Sequence, residues 1–371
     1  MEGLYNRKAR RPRLSPDINV VSRSIEVTYT PAWWVPGGHL QTLWGKLARR
    51  QPTVSTRAER WTTPDGDQLE IHRLDAAAAA TDNVPRLVLL HGLEGTIRSH
   101  YLRGLLDQAR RRGWAADVVI FRGCNGEINR VPRLYHSGET TDLDFVVRRL
   151  ADAHPDQPIV LAGVSLGGNV LLKWLGEQGA SLHSQVRGAA AVSVPYDLEA
   201  GARRIERGFS RIYTWHFLRT LRQKALRKLV HFPGLFDQSR LERARTLYDF
   251  DDAVTAPIHG FTGAHDYYHR SSSMQFLAGI TVPTLLLSAR DDPFLPPQVI
   301  DAVQMVAEAN PHLVTEVHAR GGHVGFVSGS RPSRTVYYAE ERVVSFLAAT
   351  LESEAAGSAF ISGALGREAG A

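Results

Sequence analysis

Residues 159 to 174 read Ile-Val-Leu-Ala-Gly-Val-Ser-Leu-Gly-Gly-Asn-Val-Leu-Leu-Lys-Trp. The first six have the length and apolar character of a buried strand, and Leu166 to Glu177 has the pattern of a helix. Between them Gly163-Val164-Ser165-Leu166-Gly167 forms Gly-x-Ser-x-Gly at a strand-to-helix turn. A turn this sharp strains the serine backbone and needs small neighbours where chains pass closely. It also lifts the serine hydroxyl above the sheet, at the positive end of the following helix. Ser165 is therefore the candidate nucleophile. A plain Gly/Ser turn is the competing reading, and the strand before and helix after weigh against it.

Outward from this turn the same alternation repeats. Arg86 to Leu90, Ala115 to Phe121, Val186 to Val192, Thr284 to Leu287 and Val314 to Val317 read as strands. Tyr101 to Arg111, Thr141 to Ala153 and Val336 to Leu351 read as helices. Continuous apolar strands separated by helices predict parallel crossover units, hence an α/β fold with a mostly parallel central sheet flanked by helices on both faces. A hairpin opens it, Ala58 to Thr63 and Gln68 to Arg73 around Pro64-Asp65-Gly66-Asp67. The alternation breaks once, over residues 196–282, where a helical cap is predicted. There Leu218, Leu221, Ala225 and Leu229 fall at helical spacing, with Arg219, Arg222, Lys224, Arg227 and Lys228 expected on another face. Such a cationic helix packs on the body with a solvated basic side, or touches a membrane surface or acidic ligand. Residues 1–24 are expected to be a disordered basic arm, 25–352 one domain, and 353–371 a disordered tail rich in Gly, Ala and Ser.

The chain has 371 residues, 43% hydrophobic and 22% charged, which is ample for a large core and excludes disorder as the dominant state. No run approaches the roughly 18 to 20 apolar residues of a membrane span. A single cysteine, Cys124, excludes a disulfide framework and zinc held by thiolate pairs. With no apolar core segment after Met1, a secretory signal is not read, and the expected location is cytoplasmic. Net charge is +6, but the first 15 residues carry net +4 and residues 201 to 250 net +8, so the body is net negative. That distribution, without a recognition motif, argues against nucleic acid as a partner.

A serine hydroxyl needs a base, and the base needs a group that fixes its tautomer. Both occur downstream. Strand Val314 to Val317 leads to Arg320-Gly321-Gly322-His323-Val324-Gly325-Phe326, a glycine-flanked histidine, and His323 is the candidate base. Strand Thr284 to Leu287 leads to Ser288-Ala289-Arg290-Asp291-Asp292, whose adjacent carboxylates point in different directions, so only one can reach the imidazole. Two backbone N–H donors are needed for the oxyanion of an acyl-transfer intermediate. The Leu166 N–H follows the nucleophile, and His91-Gly92-Leu93-Glu94-Gly95, after strand Arg86 to Leu90, offers the Leu93 N–H. His91 is read as a prop for that loop and Cys124 as packing. Gly92, Gln41 and Arg122 are the candidate substrate-binding residues, Arg122 having a competing structural reading in a loop-holding network.

These residues resemble a known family. Gly38-His39-Leu40-Gln41-Thr42, His91 to Gly95, Arg122-Gly123-Cys124-Asn125-Gly126-Glu127 and Tyr135-His136-Ser137-Gly138-Glu139-Thr140, with the serine motif, resemble the bacterial YheT-type branch of the α/β-hydrolase superfamily. The resemblance spans about Pro31 to Leu351. It implies an acid four residues before a proline, which with Pro296 is Asp292, Asp291 then being a solvated or loop-capping carboxylate. It further implies a serine esterase without metal or cofactor, a short-chain carboxylesterase or an acylglycerol or phospholipid lipase, whose partner is a small-molecule or lipid ester. An acyltransferase using the same triad, or a non-catalytic binding protein on this fold, are the alternatives.

Overall fold

The computed structural model of the chain describes residues 28–76 and 84–368, with side chains to residue 353. The arm expected over residues 1–24 lies outside the described residues. In chain order the elements begin with helix α1 (Gly37–Leu47), the hairpin β1 (Arg57–Thr62) and β2 (Gln68–Leu74), then β3 (Arg86–Leu90), α2 (His100–Arg111), β4 (Ala115–Ile120), α3 (Thr141–Ala153), β5 (Ile159–Val164), α4 (Leu166–Gln178) and β6 (Val186–Val192). The cap follows: α5 (Leu198–Ile205), α6 (Arg211–His231), α7 (Gln238–Arg243), α8 (Leu247–Phe250), a π-helical turn (Asp251–Thr255), α9 (Ala256–His259) and α10 (Ala264–Ser271). The chain then returns through β7 (Thr284–Ala289), α11 (Pro297–Ala309), β8 (Leu313–His318), the short strands β9 (Val327–Ser328) and β10 (Val336–Tyr337), and α12 (Tyr338–Glu368).

Eight strands form one sheet in the order β1-β2-β4-β3-β5-β6-β7-β8. The hairpin strands pair antiparallel, as do β2 and β4, while every pair from β4 through β8 is parallel. Every residue of β3, β4, β5 and β7 is buried, as helix-covered parallel strands require. Each buried Leu, Ile or Val there contributes about 1.5–3 kcal/mol of transfer free energy. The functional consequence is positional: loops leaving the carboxyl ends of β3, β5, β7 and β8 converge on one edge of the sheet, where a ligand site is expected in open α/β folds.

Two expectations change. The last helix starts at Tyr338, because Val336 and Tyr337 pair with Val327 and Ser328 in a two-stranded sheet. It then continues to Glu368, through a segment read as an unstructured tail from Ser353. Ala355, Ala356, Ala359, Ala364 and Leu365 supply helix propensity there, which the interleaved glycines masked. The cap helix also departs from a simple basic face. Lys228 is fully buried, its ammonium donating to Asn129 Oδ1 at 2.7 Å and the Asn129 carbonyl at 3.0 Å. Lys224 turns inward too, and Arg222 donates to the Ala244 carbonyl.

Candidate active site

The turn between β5 and α4 is the strained one that the motif demands. Ser165 has φ 55° and ψ −121°, a left-handed conformation costly for a residue with a Cβ. The glycines around it are forced by contact: a Cβ on Gly163 would lie 2.5 Å from the Gly167 carbonyl oxygen, and one on Gly167 2.5 Å from the His91 carbonyl oxygen. The helix beyond is pinned by Asn169, whose amide donates to the carbonyls of Ser137 and Ser271 at 2.8 Å and accepts from the Ser273 N–H at 2.9 Å. The Tyr135 to Thr140 stretch therefore locks the serine's helix to the end of the cap.

The other two chemical groups meet the serine. His323 Nε2 lies 2.9 Å from Ser165 Oγ, and His323 Nδ1 lies 2.8 Å from Asp292 Oδ2. Asp292 is fully buried, and its Oδ1 accepts the Phe294 N–H at 2.8 Å. A carboxylate can only accept, so the imidazole carries its proton on Nδ1 and leaves Nε2 to receive the serine proton. Asp291 does something different: its Oδ1 accepts the N–H groups of Gly321 and Gly322, both at 2.8 Å, and so shapes the loop bearing His323. Burial raises the Asp291 carboxyl above its ordinary range.

The loop is held from the far end of the chain as well. Thr42 Oγ accepts the His323 N–H at 2.8 Å and donates to the Gly38 carbonyl at 2.6 Å. Ser193 Oγ accepts the Val324 N–H at 3.0 Å. A Cβ on Gly38 would fall 1.9 Å from the Asp291 carbonyl oxygen, which explains the glycine in Gly38-His39-Leu40-Gln41-Thr42.

Opposite the serine, Gly92 passes so close that a Cβ on it would lie 3.2 Å from that of Ser165. Its N–H donates to Tyr101 Oη at 2.9 Å, while the Leu93 N–H has no protein acceptor among the described residues. The Leu166 N–H is the first of α4 and has no carbonyl one turn back to bond. His91 is fully buried, and burial lowers its pKa to about 4, so the ring is neutral. Its Nε2 accepts the Phe121 N–H at 3.1 Å, which puts the proton on Nδ1, donated to the Gly92 carbonyl at 2.8 Å. This is the loop prop read from the sequence. The next residue, Glu94, has φ 57° and is gripped on three sides. Tyr135 Oη donates to Glu94 Oε1 at 2.7 Å and accepts the Glu94 N–H at 3.0 Å, and Lys224 from the cap donates to the same Oε1 at 2.7 Å. The Lys224 ammonium also lies 3.2 Å from Cys124 Sγ, whose thiol burial pushes up to about 11, so Cys124 stays protonated and unreactive. The pairing of Glu94 with Lys224 was missed in the sequence, since nothing local links positions 130 residues apart.

A cavity of about 250 Å³ opens above Ser165 and His323. Gly92 and Leu93 form one wall, and Ile205, Phe217 and Leu221 of the cap close it with apolar surface. A polar group also lines it: Asp251, Thr255 and Tyr268, with the Thr255 and Tyr268 hydroxyls each donating to the Asp251 carboxylate at 2.6 Å. Burial raises the Asp251 pKa to about 6.

Of the three expected substrate-binding residues only Gly92 lines this cavity. Gln41 is buried elsewhere; its amide donates to the Val35 and Val327 carbonyls at 3.2 and 3.3 Å and accepts the Val327 N–H at 2.7 Å, tying α1 to β9. Arg122 is likewise consumed internally, by Asp142 at 2.6 and 2.8 Å, Asp67 at 2.8 Å and Asp65 at 2.9 Å, joining the hairpin turn to the start of α3. The buried carboxylates of Asp67 and Asp142, with the more exposed Asp65, satisfy its planar fork, leaving no donor for a ligand. Among the described residues no group of three or more His, Cys, Asp or Glu is arranged to hold a metal ion, and no helix is long and apolar enough to cross a membrane.

Comparison with known proteins agrees with this architecture. A family model described as alpha/beta hydrolase fold matches residues 85–330. The protein of Escherichia coli (strain K12) named "Putative esterase YheT" is 39% identical over 340 residues, covering 91% of this chain and 97% of its own. The mouse phospholipase ABHD3 is 31% identical over 315 residues, 84% of this chain and 76% of that one, and a monoacylglycerol lipase of Saccharomyces cerevisiae is 31% identical over 276 residues, 72% and 60%. Among solved structures, the Pyrococcus furiosus esterase Pf2001 superposes with a TM-score of 0.52 at 17% identity, covering 80% of this chain and 91% of that one, a likeness of fold.

Proposed function

The chain belongs to the α/β-hydrolase fold family, in the branch of the Escherichia coli protein YheT, and on that footing we propose that it hydrolyses carboxylic esters through an acyl-enzyme on Ser165. The observation that carries this reading is the row Asp292–His323–Ser165, with bonds of 2.8 and 2.9 Å, at the floor of a largely apolar cavity. His323 Nε2 takes the serine proton as Oγ attacks the acyl carbonyl, and Asp292 stabilises the imidazolium that results. The Leu93 and Leu166 N–H groups receive the oxyanion, each contributing a few kcal/mol to the transition state. The proton then passes from Nε2 to the departing alkoxide, and a water activated by the same imidazole releases the acid.

The cavity's apolar wall of Ile205, Phe217 and Leu221 suits an acyl chain or other hydrocarbon moiety, and the polar lining of Asp251 and Tyr268 suits a hydroxyl-bearing one. The esters this describes are lipid-like, acylglycerols or phospholipids, consistent with relatives named phospholipase and monoacylglycerol lipase. Rates on p-nitrophenyl esters of graded chain length, with Ser165→Ala as control, test the reading. Hydrolysis and fluorophosphonate labelling are expected from wild type and neither from the variant; labelling that persists in the variant overturns it.

A further inference from the structure

Large apolar side chains exposed among the described residues are not scattered. Five of the ten, Leu40, Leu47, Phe209, Ile212 and Trp215, lie on α1 and the start of α6 or just before it, each at least half exposed. The two helices touch at two levels: His39 Nδ1 lies 3.3 Å from Tyr213 Oη, and Lys46 Nζ lies 3.4 Å from His216 Nε2. The His39 ring also packs on Phe209 at 4.8 Å, so the two segments that carry the exposed groups lie side by side. An apolar patch gathered in this way marks an interaction surface.

Charge identifies what the surface meets. No Asp or Glu occurs between residues 27 and 58 or between 207 and 236. Lys46, Arg50, Arg207, Arg211 and Arg219 are exposed around the patch, and none forms an ion pair among the described residues. Glu206 lines the same groove as Arg211, Trp215 and Arg219, but cations outnumber it, and an apolar centre containing a tryptophan with a predominantly cationic rim is the composition of an element lying in the interface of an anionic membrane. A second copy of the chain would instead oppose cations with cations. The patch also sits close to the chemistry. The Tyr213 ring packs on Phe294 at 4.9 Å, Phe294 packs on the His323 imidazole at 4.2 Å, and Phe217 of the same helix lines the cavity.

We propose that the face formed by α1 and the start of α6 docks on anionic phospholipid bilayers, bringing the cavity to its substrate. The docking gains its purpose from the hydrolase reading but is measured apart from it. The full chain is sedimented with vesicles of mixed phosphatidylcholine and phosphatidylglycerol, and with pure phosphatidylcholine, beside hydrolysis of a soluble p-nitrophenyl ester. Two double variants are compared, Ile212→Asn with Trp215→Asn, and Arg211→Glu with Arg219→Glu. Wild type is expected to bind the anionic vesicles at least about tenfold more tightly, and each variant to lose at least about tenfold of that affinity while soluble hydrolysis stays within about twofold. Raising the salt should weaken wild-type binding. Wild type that ignores anionic vesicles, or variants that bind as wild type does, overturn the proposal. So does dimerisation that the variants abolish, with no vesicle binding, which would assign the patch to self-association. Vesicle binding without ester hydrolysis would refute the hydrolase reading and leave the docking standing.

Discussion

Adjacent carboxylates give the sharpest test of the site. In Asp292→Asn the new side chain inherits two demands: its Oδ1 must still accept the Phe294 N–H, now bonded at 2.8 Å. That fixes the amide orientation and turns its NH2 toward His323 Nδ1, where Oδ2 accepts today at 2.8 Å. An NH2 can only donate, so the imidazole is driven to the tautomer with its proton on Nε2, facing Ser165, where it cannot act as base. The expected loss in kcat is about 10⁴-fold, the size seen when a triad aspartate becomes asparagine, or about 5.5 kcal/mol of barrier. In Asp291→Asn the same change is mild. Oδ1 can go on accepting from Gly321 and Gly322, while Oδ2, buried without a partner, becomes the NH2. Only the strength of two charge-assisted bonds changes, at a site about half buried, and kcat should fall less than about tenfold. Steady-state hydrolysis of a p-nitrophenyl ester by both variants, with circular dichroism to show folding, decides the matter. If Asp291→Asn is the worse enzyme, or Asp292→Asn stays within tenfold of wild type, the assignment of roles is wrong.

Ser165→Ala should lower kcat by about 10⁶-fold without loss of stability, read from turnover and a denaturation midpoint. Gly167→Ala puts a methyl 2.5 Å from the His91 carbonyl oxygen and should destabilise by about 1–3 kcal/mol; an unchanged urea midpoint would contradict the tight elbow. Lys224→Met strands Glu94 in a largely buried place, so a double-mutant cycle with Glu94→Gln should show coupling of about 1–3 kcal/mol, and simple additivity would disprove the clasp. Asp251 holds its proton more tightly folded, at a pKa of about 6, than unfolded. Its contribution to stability is therefore fully present below the unfolded value and is lost as pH rises through about 6. Asp251→Asn should gain on wild type between pH 4 and pH 7, by at most about 3 kcal/mol, and a difference that is flat with pH would show the carboxyl to be solvated.

The strands of the body were legible because buried parallel strands are written as unbroken apolar runs: β3, β5 and β6 fall at the residues read from the sequence. The hydrogen-bonded row of Ser165, His323 and Asp292 was legible because each member sits just beyond such a strand, leaving few positions to choose from. What remained hidden were partners set by three-dimensional approach. Gln41 and Arg122 looked like polar groups near a pocket, yet the backbone of β9 and three carboxylates claim them. Lys228 lies on the helix as a cation among cations, and only the fold brings the carbonyls that bury it. Helical periodicity shows which side chains share a face; it does not show which face meets protein.

The grip of Thr42 on the His323 loop spans 281 positions, and it carries a consequence for biosynthesis. Helix α1 leaves the ribosome early, but the loop it must hold arrives only after most of the chain has been made. Until then Thr42 and Gln41 have only their local carbonyl partners, Gly38 and Val35, so His323 can be seated only near the end of translation. On the proposed mechanism, a nascent chain stalled before residue 323 would carry a finished serine elbow and remain inert toward esters.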